Sequence, residues 1–149
     1  MKNLFVLSLF TLLASCNDGD VTVGESTVLF KINDDEALIL VLPDDVLKNE
    51  VSETTITSEV NDESFLTYRL FSDDLDSDYF CSDIPEATPS VIDEIEAESG
   101  SVLINTTTED SITFTHTITL SEISFITSDD SRITDLSIND FGTVTTTVE

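Results

Sequence analysis

His116 is the only histidine in the chain, and Cys81 is the only cysteine beyond residue 16. A histidine can serve as a general base near neutral pH, and a thiolate is a strong nucleophile. Neither stands where that chemistry is favoured. His116 lies in Ile112-Thr113-Phe114-Thr115-His116-Thr117-Ile118, on the side that alternation assigns to the core. A core histidine hydrogen-bonded to a neighbour accounts for it better than a catalytic one. Cys81 lies in Asp78-Tyr79-Phe80-Cys81-Ser82-Asp83. A reactive thiol wants a cationic neighbour, and these neighbours are acidic. Cys81 is therefore expected to be a buried free thiol that packs as a small hydrophobe.

Acids are abundant, with 31 Asp and Glu. Paired carboxylates perform glycoside hydrolysis, but among so many acids some pair always looks suitable, so the signal has little specificity. Asp74, Asp76 and Asp78 alternate like the first three ligands of a calcium loop. An EF-hand also needs glycine at the sixth position and glutamate at the twelfth. Tyr79 and Pro85 stand there, which excludes an EF-hand. A looser calcium site at Asp74, Asp76 and Asp78 stays open beside a plain solvated acidic loop. One histidine and two cysteines are too few for a zinc centre. The four glycines are scattered and form no phosphate loop. A hydrolase using carboxylates or His116 is thus the weakest functional reading.

The residue with the clearest covalent chemistry is Cys16. Lys2 is followed by an apolar run from Leu4 to Leu13. That run is too short to span a bilayer, which takes about 20 apolar residues, and it has the layout of a secretory signal. It ends in Leu13-Ala14-Ser15-Cys16, which resembles the bacterial lipobox. The resemblance implies cleavage before Cys16, a diacylglycerol thioether on its sulfur and stable anchoring by several acyl chains. Asn17-Asp18-Gly19-Asp20 then resembles the acidic export signal of surface lipoproteins in the Bacteroidetes. The expected organisation is a signal peptide over 1–15, an acidic tether over 16–21 and a single domain over 22–149.

The charge bounds the partners. The chain of 149 residues has a formal net charge of −26. Lys2 leaves with the signal, so four basic and all 31 acidic residues remain. Too few cations are left to neutralise phosphates, which excludes nucleic acid. Anionic membrane surfaces repel such a chain. Cations, envelope proteins and neutral glycans are the compatible partners, besides the membrane reached through lipid. The acids cluster as Asp34-Asp35, Asp44-Asp45, Asp73-Asp74 and Asp129-Asp130 between apolar runs. That is the pattern of acidic loop tips on an ordered core.

The remaining sequence reads as strands. Val28, Phe30 and Ile32 alternate with Thr27, Leu29 and Lys31 in a half-buried strand pattern, and Leu38-Ile39-Leu40-Val41-Leu42 is a buried run stopped by Pro43. A strand is read in Val51–Val60. Ser64–Phe71 is apolar on both faces, as a central strand is. Arg69 within it is expected to pair with an acid. Ser90–Gly100 fits a capped helix or a strand ending in a Ser99-Gly100 turn, and its β neighbours favour the strand. Ile112, Phe114, His116, Ile118 and Leu120 share one face of a long strand. Past Ser121 the apolar parity flips to Ile123 and Phe125, which requires a bulge or kink near Ser121-Glu122. Ile133–Ile138 and Thr143–Val148 close the domain. Short strands, polar turns and no clear long helix predict an all-β fold, an antiparallel β-sandwich of immunoglobulin-like or similar layout.

Two further resemblances bear on function. Asp110-Ser111-Ile112 is similar to the O-glycosylation site of Bacteroidetes envelope proteins, which makes Ser111 a candidate acceptor. The chain, especially Tyr68-Arg69 through Tyr79-Phe80-Cys81 and His116-Thr117-Ile118, resembles small uncharacterised lipoproteins of flavobacterial type. That family implies no activity, so no functional residue is carried over. The expectation is a non-enzymatic binding or interaction module, lipid-anchored at the outer membrane and facing outward. A calcium-stabilised adhesion or structural module is the alternative.

Overall fold

A computed structural model describes residues 20–23, 26–76, 78–81, 87–133 and 140–148. The expected signal peptide, Cys16 and residues 17–19 lie outside them. The described residues form nine strands: β1 (Asp20–Val23), β2 (Ser26–Asn33), β3 (Glu36–Pro43), β4 (Ile56–Glu59), β5 (Phe65–Phe71), β6 (Val91–Thr108), β7 (Thr113–Ile126), β8 (Arg132–Ile133) and β9 (Asp140–Thr147). A single helical turn, α1 (Asp78–Cys81), sits between β5 and β6. The chain is all-β, and every strand pair is antiparallel.

The layers are two halves of one sheet. The path runs β1-β2-β3-β5-β6-β7-β8, with β4 on β6 and β9 on β7. The first half of β6 pairs with β5, and its second half pairs with β4. Both β6 and β7 are long enough to turn from one layer into the other. The sheet thereby nearly closes into a barrel. The open seam lies between β2 and β9, where Lys31 Nζ donates to the Asp140 carbonyl at 2.7 Å.

A device at the middle of β6 and β7 makes that turn possible. Ser101 pairs with Ser121, but Ser99 pairs with Ser124, so β7 carries an extra residue there. Glu122 takes a φ of 54°. This bulge swaps which parity of β7 faces inward, as the shift from Ile118 and Leu120 to Ile123 and Phe125 requires. Opposite it, Gly100 takes a φ of 132°. Ser90–Gly100 is therefore strand, as its β neighbours suggested. The Ser99-Gly100 turn is replaced by a bend, and β6 runs unbroken through it. Glycine there absorbs the change of direction without reversing the chain.

The inner faces pack one core. Leu29, Leu40, Leu42 and Leu66 come from the first half of the sheet. Val102, Ile104, Ile118, Leu120, Phe125 and Val144 come from the second. Leu40, Leu42, Val102, Ile104 and Ile118 are fully buried. Truncating such a leucine to alanine costs about 2–5 kcal/mol in transfer and cavity terms. Among the described residues one buried side-chain polar atom has no hydrogen-bond partner, the Ser58 hydroxyl on β4. A buried hydroxyl without a hydrogen bond costs about 1–3 kcal/mol. Ser58→Ala is therefore expected to raise the melting temperature in a thermal scan. A clear fall in melting temperature would show that the hydroxyl is used.

Several elements differ from the sequence reading. The strand read in Val51–Val60 shrinks to Ile56–Glu59. Ser52 in the segment before it bonds instead to Thr106 of β6 through its amide and hydroxyl. Ile112 is 55% exposed, since it lies in the β6–β7 turn and not in the core. The first strand is split into β1 and β2, and β1 begins two residues inside the expected tether. Of Ile133–Ile138 only Ile133 falls within the described residues.

Candidate functional site

The most organised polar group lies at the end of the barrel where β6, β7 and β9 run side by side. Register places Thr106 opposite His116, and His116 opposite Val144. His116 shares the inward face with Phe114 and Ile118 and is fully buried. Its Nδ1 lies 2.7 Å from Thr106 Oγ1, and its Nε2 lies 2.7 Å from Thr146 Oγ1. The Thr146 hydroxyl donates in turn to Asn49 Oδ1. That last bond sets the direction of the chain. Thr146 uses its proton on Asn49, so it accepts from His116 Nε2–H, and Nδ1 accepts from Thr106. The imidazole is neutral in this arrangement, and burial pushes its pKa below the ordinary histidine value.

This geometry supports structure better than catalysis. A nucleophile–base contact exists between Thr106 and His116 Nδ1. A triad needs a third group that stabilises the imidazolium, usually a carboxylate. Thr146, a neutral hydroxyl, occupies that place. No face of the ring is open to a substrate. Thr106, Thr146 and Asn49 escaped the sequence reading. The Thr-x-Thr alternation hides which threonines turn inward, because the β-branched side chain suits either face of a strand.

A second polar pair lies within the first half of the sheet. The Tyr68 hydroxyl donates to Glu36 Oε1 at 2.6 Å, and Phe125 meets the ring edge-on at 6.5 Å. Burial foremost, then the Glu36 hydrogen bond and the nearby charges of Glu36, Asp35 and Asp93, push the phenol pKa up. Tyr68 is thus held protonated, as a donor and not a nucleophile. Arg69 pairs with Glu94, as expected of a lone cation among acids.

The remaining candidates are dispersed. Asp74, Asp76 and Asp78 are exposed. Asp76 caps the following turn, accepting from the Asp78 amide at 2.9 Å. Among the described residues no three His, Cys, Asp or Glu side chains gather as a metal ion requires. The alternating spacing ends at Asp78, where the chain enters α1. The expectation of a buried thiol at Cys81 concerns a side chain outside the described residues. Ser111 stands exposed in the β6–β7 hairpin with a φ of 61°. Beside it, Asp110 Oδ1 accepts from the amides of Thr113 at 2.6 Å and Ile112 at 2.8 Å. These bonds hold the Asp110 carboxyl below the usual carboxylate range. A glycosidase acid needs the opposite shift, so Glu109-Asp110 makes a poor acid–base pair.

The cavities agree with this. The seam between β2 and β9 holds a cleft of about 110 Å³ beside Leu29, Lys31, Phe141 and Gly142. Small-molecule pockets are usually about 300–1,000 Å³. The hollow beside the hairpin is larger, about 460 Å³, but threonines and the two turn acids line it.

The spread of carboxylates has a thermodynamic consequence. Charges closer than a Debye length of about 10 Å at 0.1 M salt repel one another, and salt screens them. Sodium chloride is therefore expected to raise the melting temperature steadily. Calcium at matched ionic strength is expected to act alike, since no carboxylate triad is assembled among the described residues. Thermal unfolding with EDTA, sodium chloride and calcium chloride checks this. A melting temperature indifferent to sodium chloride, or a rise in calcium far beyond that in sodium, contradicts it.

Comparisons with protein-family models, with curated proteins and with solved structures find no match to this chain.

Proposed function

We propose that this chain is a cell-envelope lipoprotein: a non-enzymatic β module held at the outer membrane by lipid on Cys16. The observation that carries the reading is Leu13-Ala14-Ser15-Cys16 at the close of a short apolar run, with the first strand beginning only four residues later. A structured domain that starts so close to the cysteine suits a short tether. The arrangement of His116 supports a binding role over hydrolysis, because its ring is sealed in the core. The compatible partners are envelope proteins and neutral glycans, given the charge. Ser111, exposed in a turn, is the proposed O-glycan acceptor. The calcium-stabilised module is the second reading; among the described residues Asp74, Asp76 and Asp78 do not gather as a ligand set.

The test is Cys16→Ser in a bacterial host fed an alkyne-labelled palmitate. The wild-type chain is expected to take the label and partition into detergent, and the variant to do neither. Unlabelled wild-type protein, or labelled variant, overturns the reading. Protease treatment of intact cells addresses the outward orientation, which full protection of the chain would contradict.

A further inference from the structure

The outer face of the β1-β2-β3-β5 layer is apolar as well as its inner face. Register lines up two outer rows across β2, β3 and β5. One runs Val28, Val41 and Phe65, the other Phe30, Ile39 and Thr67. Strand β1 pairs alongside the first row, with Val21 at the register position opposite Val28. The lower corner of this face is covered. Phe80 stacks on Phe30 at 4.6 Å, and Tyr79 and Phe80 meet Phe71 edge-on. Among the described residues the upper row has no such cover. Phe65 is 53% exposed, and Val28, Ile39 and Val41 are half-buried. In a chain this acidic, a row across the sheet without a charge is unusual.

We propose that this row is a membrane-docking face, seated on the lipid surface that holds the acyl chains of Cys16. The proposal rests on the lipoprotein reading above. Its occupant follows from chain length. Three residues, and so four Cα-to-Cα steps, separate Cys16 from Asp20, and an extended chain spans at most about 3.6 Å per step, or roughly 14 Å in all. The lipid interface therefore lies within that reach of β1, beside the end of the Val28-Val41-Phe65 row. Exposed aromatic and aliphatic side chains gain by entering the headgroup–acyl boundary. The acids of the chain oppose anionic lipid, so the fitting surface is zwitterionic. Docked in this way, the barrel presents the β6–β7 hairpin away from the bilayer, at the far end of β6 from its pairing with β5.

The chain contains no tryptophan, so a single introduced indole reports its own depth. Full-length Phe65→Trp is produced in a lipidating host, shown to partition into detergent, and reconstituted in phosphatidylcholine vesicles. The control is Ile112→Trp in the hairpin. On vesicles the residue-65 indole is expected to shift to shorter wavelength and to lose about half its emission to brominated acyl chains, while the residue-112 indole does neither. Val28→Trp, checked for native circular dichroism, repeats the measurement should Phe65→Trp misfold. A detergent-partitioning, vesicle-bound chain whose residue-65 and residue-28 indoles are not quenched overturns the docking face and leaves the anchor intact. A chain that stays in the aqueous phase overturns the anchor, and the docking face with it.

Discussion

Gly100→Ala is expected to destabilise the fold by about 3 kcal/mol, through strain at positive φ and overpacking together. A Cβ at this position would lie 2.5 Å from Ile123 Cδ1 and 2.8 Å from Ile123 Cα. The side-chain atom can rotate away; the backbone atom cannot. The φ of 132° adds strain to any L side chain. Gly142→Ala is the matched control. It has a similar φ of 146°, but nothing lies within 4 Å of the added carbon. Chemical denaturation of both variants separates backbone strain from the clash. Gly100→Ala must lose clearly more stability than Gly142→Ala. Equal losses would mean that β6 and β7 do not approach at the bulge as described.

The second large effect concerns His116. His116→Ala removes a fully buried ring and leaves the Thr106 and Thr146 hydroxyls without it. A cavity and two stranded polar groups together cost about 3 kcal/mol. The wild-type ring also makes stability depend on pH. Its folded pKa lies below the ordinary value because burial disfavours the imidazolium. As pH falls, the unfolded chain takes the proton first. The contribution is therefore complete above about pH 6.5 and declines as pH drops from there through the folded pKa. The many carboxylates titrate too, but equally in a variant lacking the imidazole. The stability difference between wild type and His116→Gln should thus shrink from pH 7 towards pH 5. A constant or growing difference contradicts a neutral buried imidazole.

Strand positions were legible wherever alternation was strict. Phe114, His116, Ile118 and Leu120 point inward because each second residue of a strand must. The parity change after Ser121 announced the bulge for the same reason. The answering feature, Gly100, was visible only as a lone glycine. A turn and a bend both ask for one, and only the partner strand shows that β6 continues. The near-closure of the sheet was not legible, since it depends on β6 and β7 each serving both layers. Site geometry was least legible. Thr106, Thr146 and Asn49 meet His116 through long-range pairing, and an exposed threonine has the same local sequence as a buried one. The alternating aspartates show the limit of local spacing. It resembles a ligand set, while the backbone turns into α1 at Asp78 and no such set gathers among the described residues.

Lipid on Cys16 is tested directly by the intact mass of the chain extracted from the cell envelope. The predicted mass is that of residues 16–149 plus diacylglycerol, with or without a further acyl chain on the amine, and with a hexose-based increment where Ser111 is glycosylated. A mass retaining residues 1–15, or a chain cut elsewhere and free of lipid, would contradict the anchored module and the membrane-docking face together.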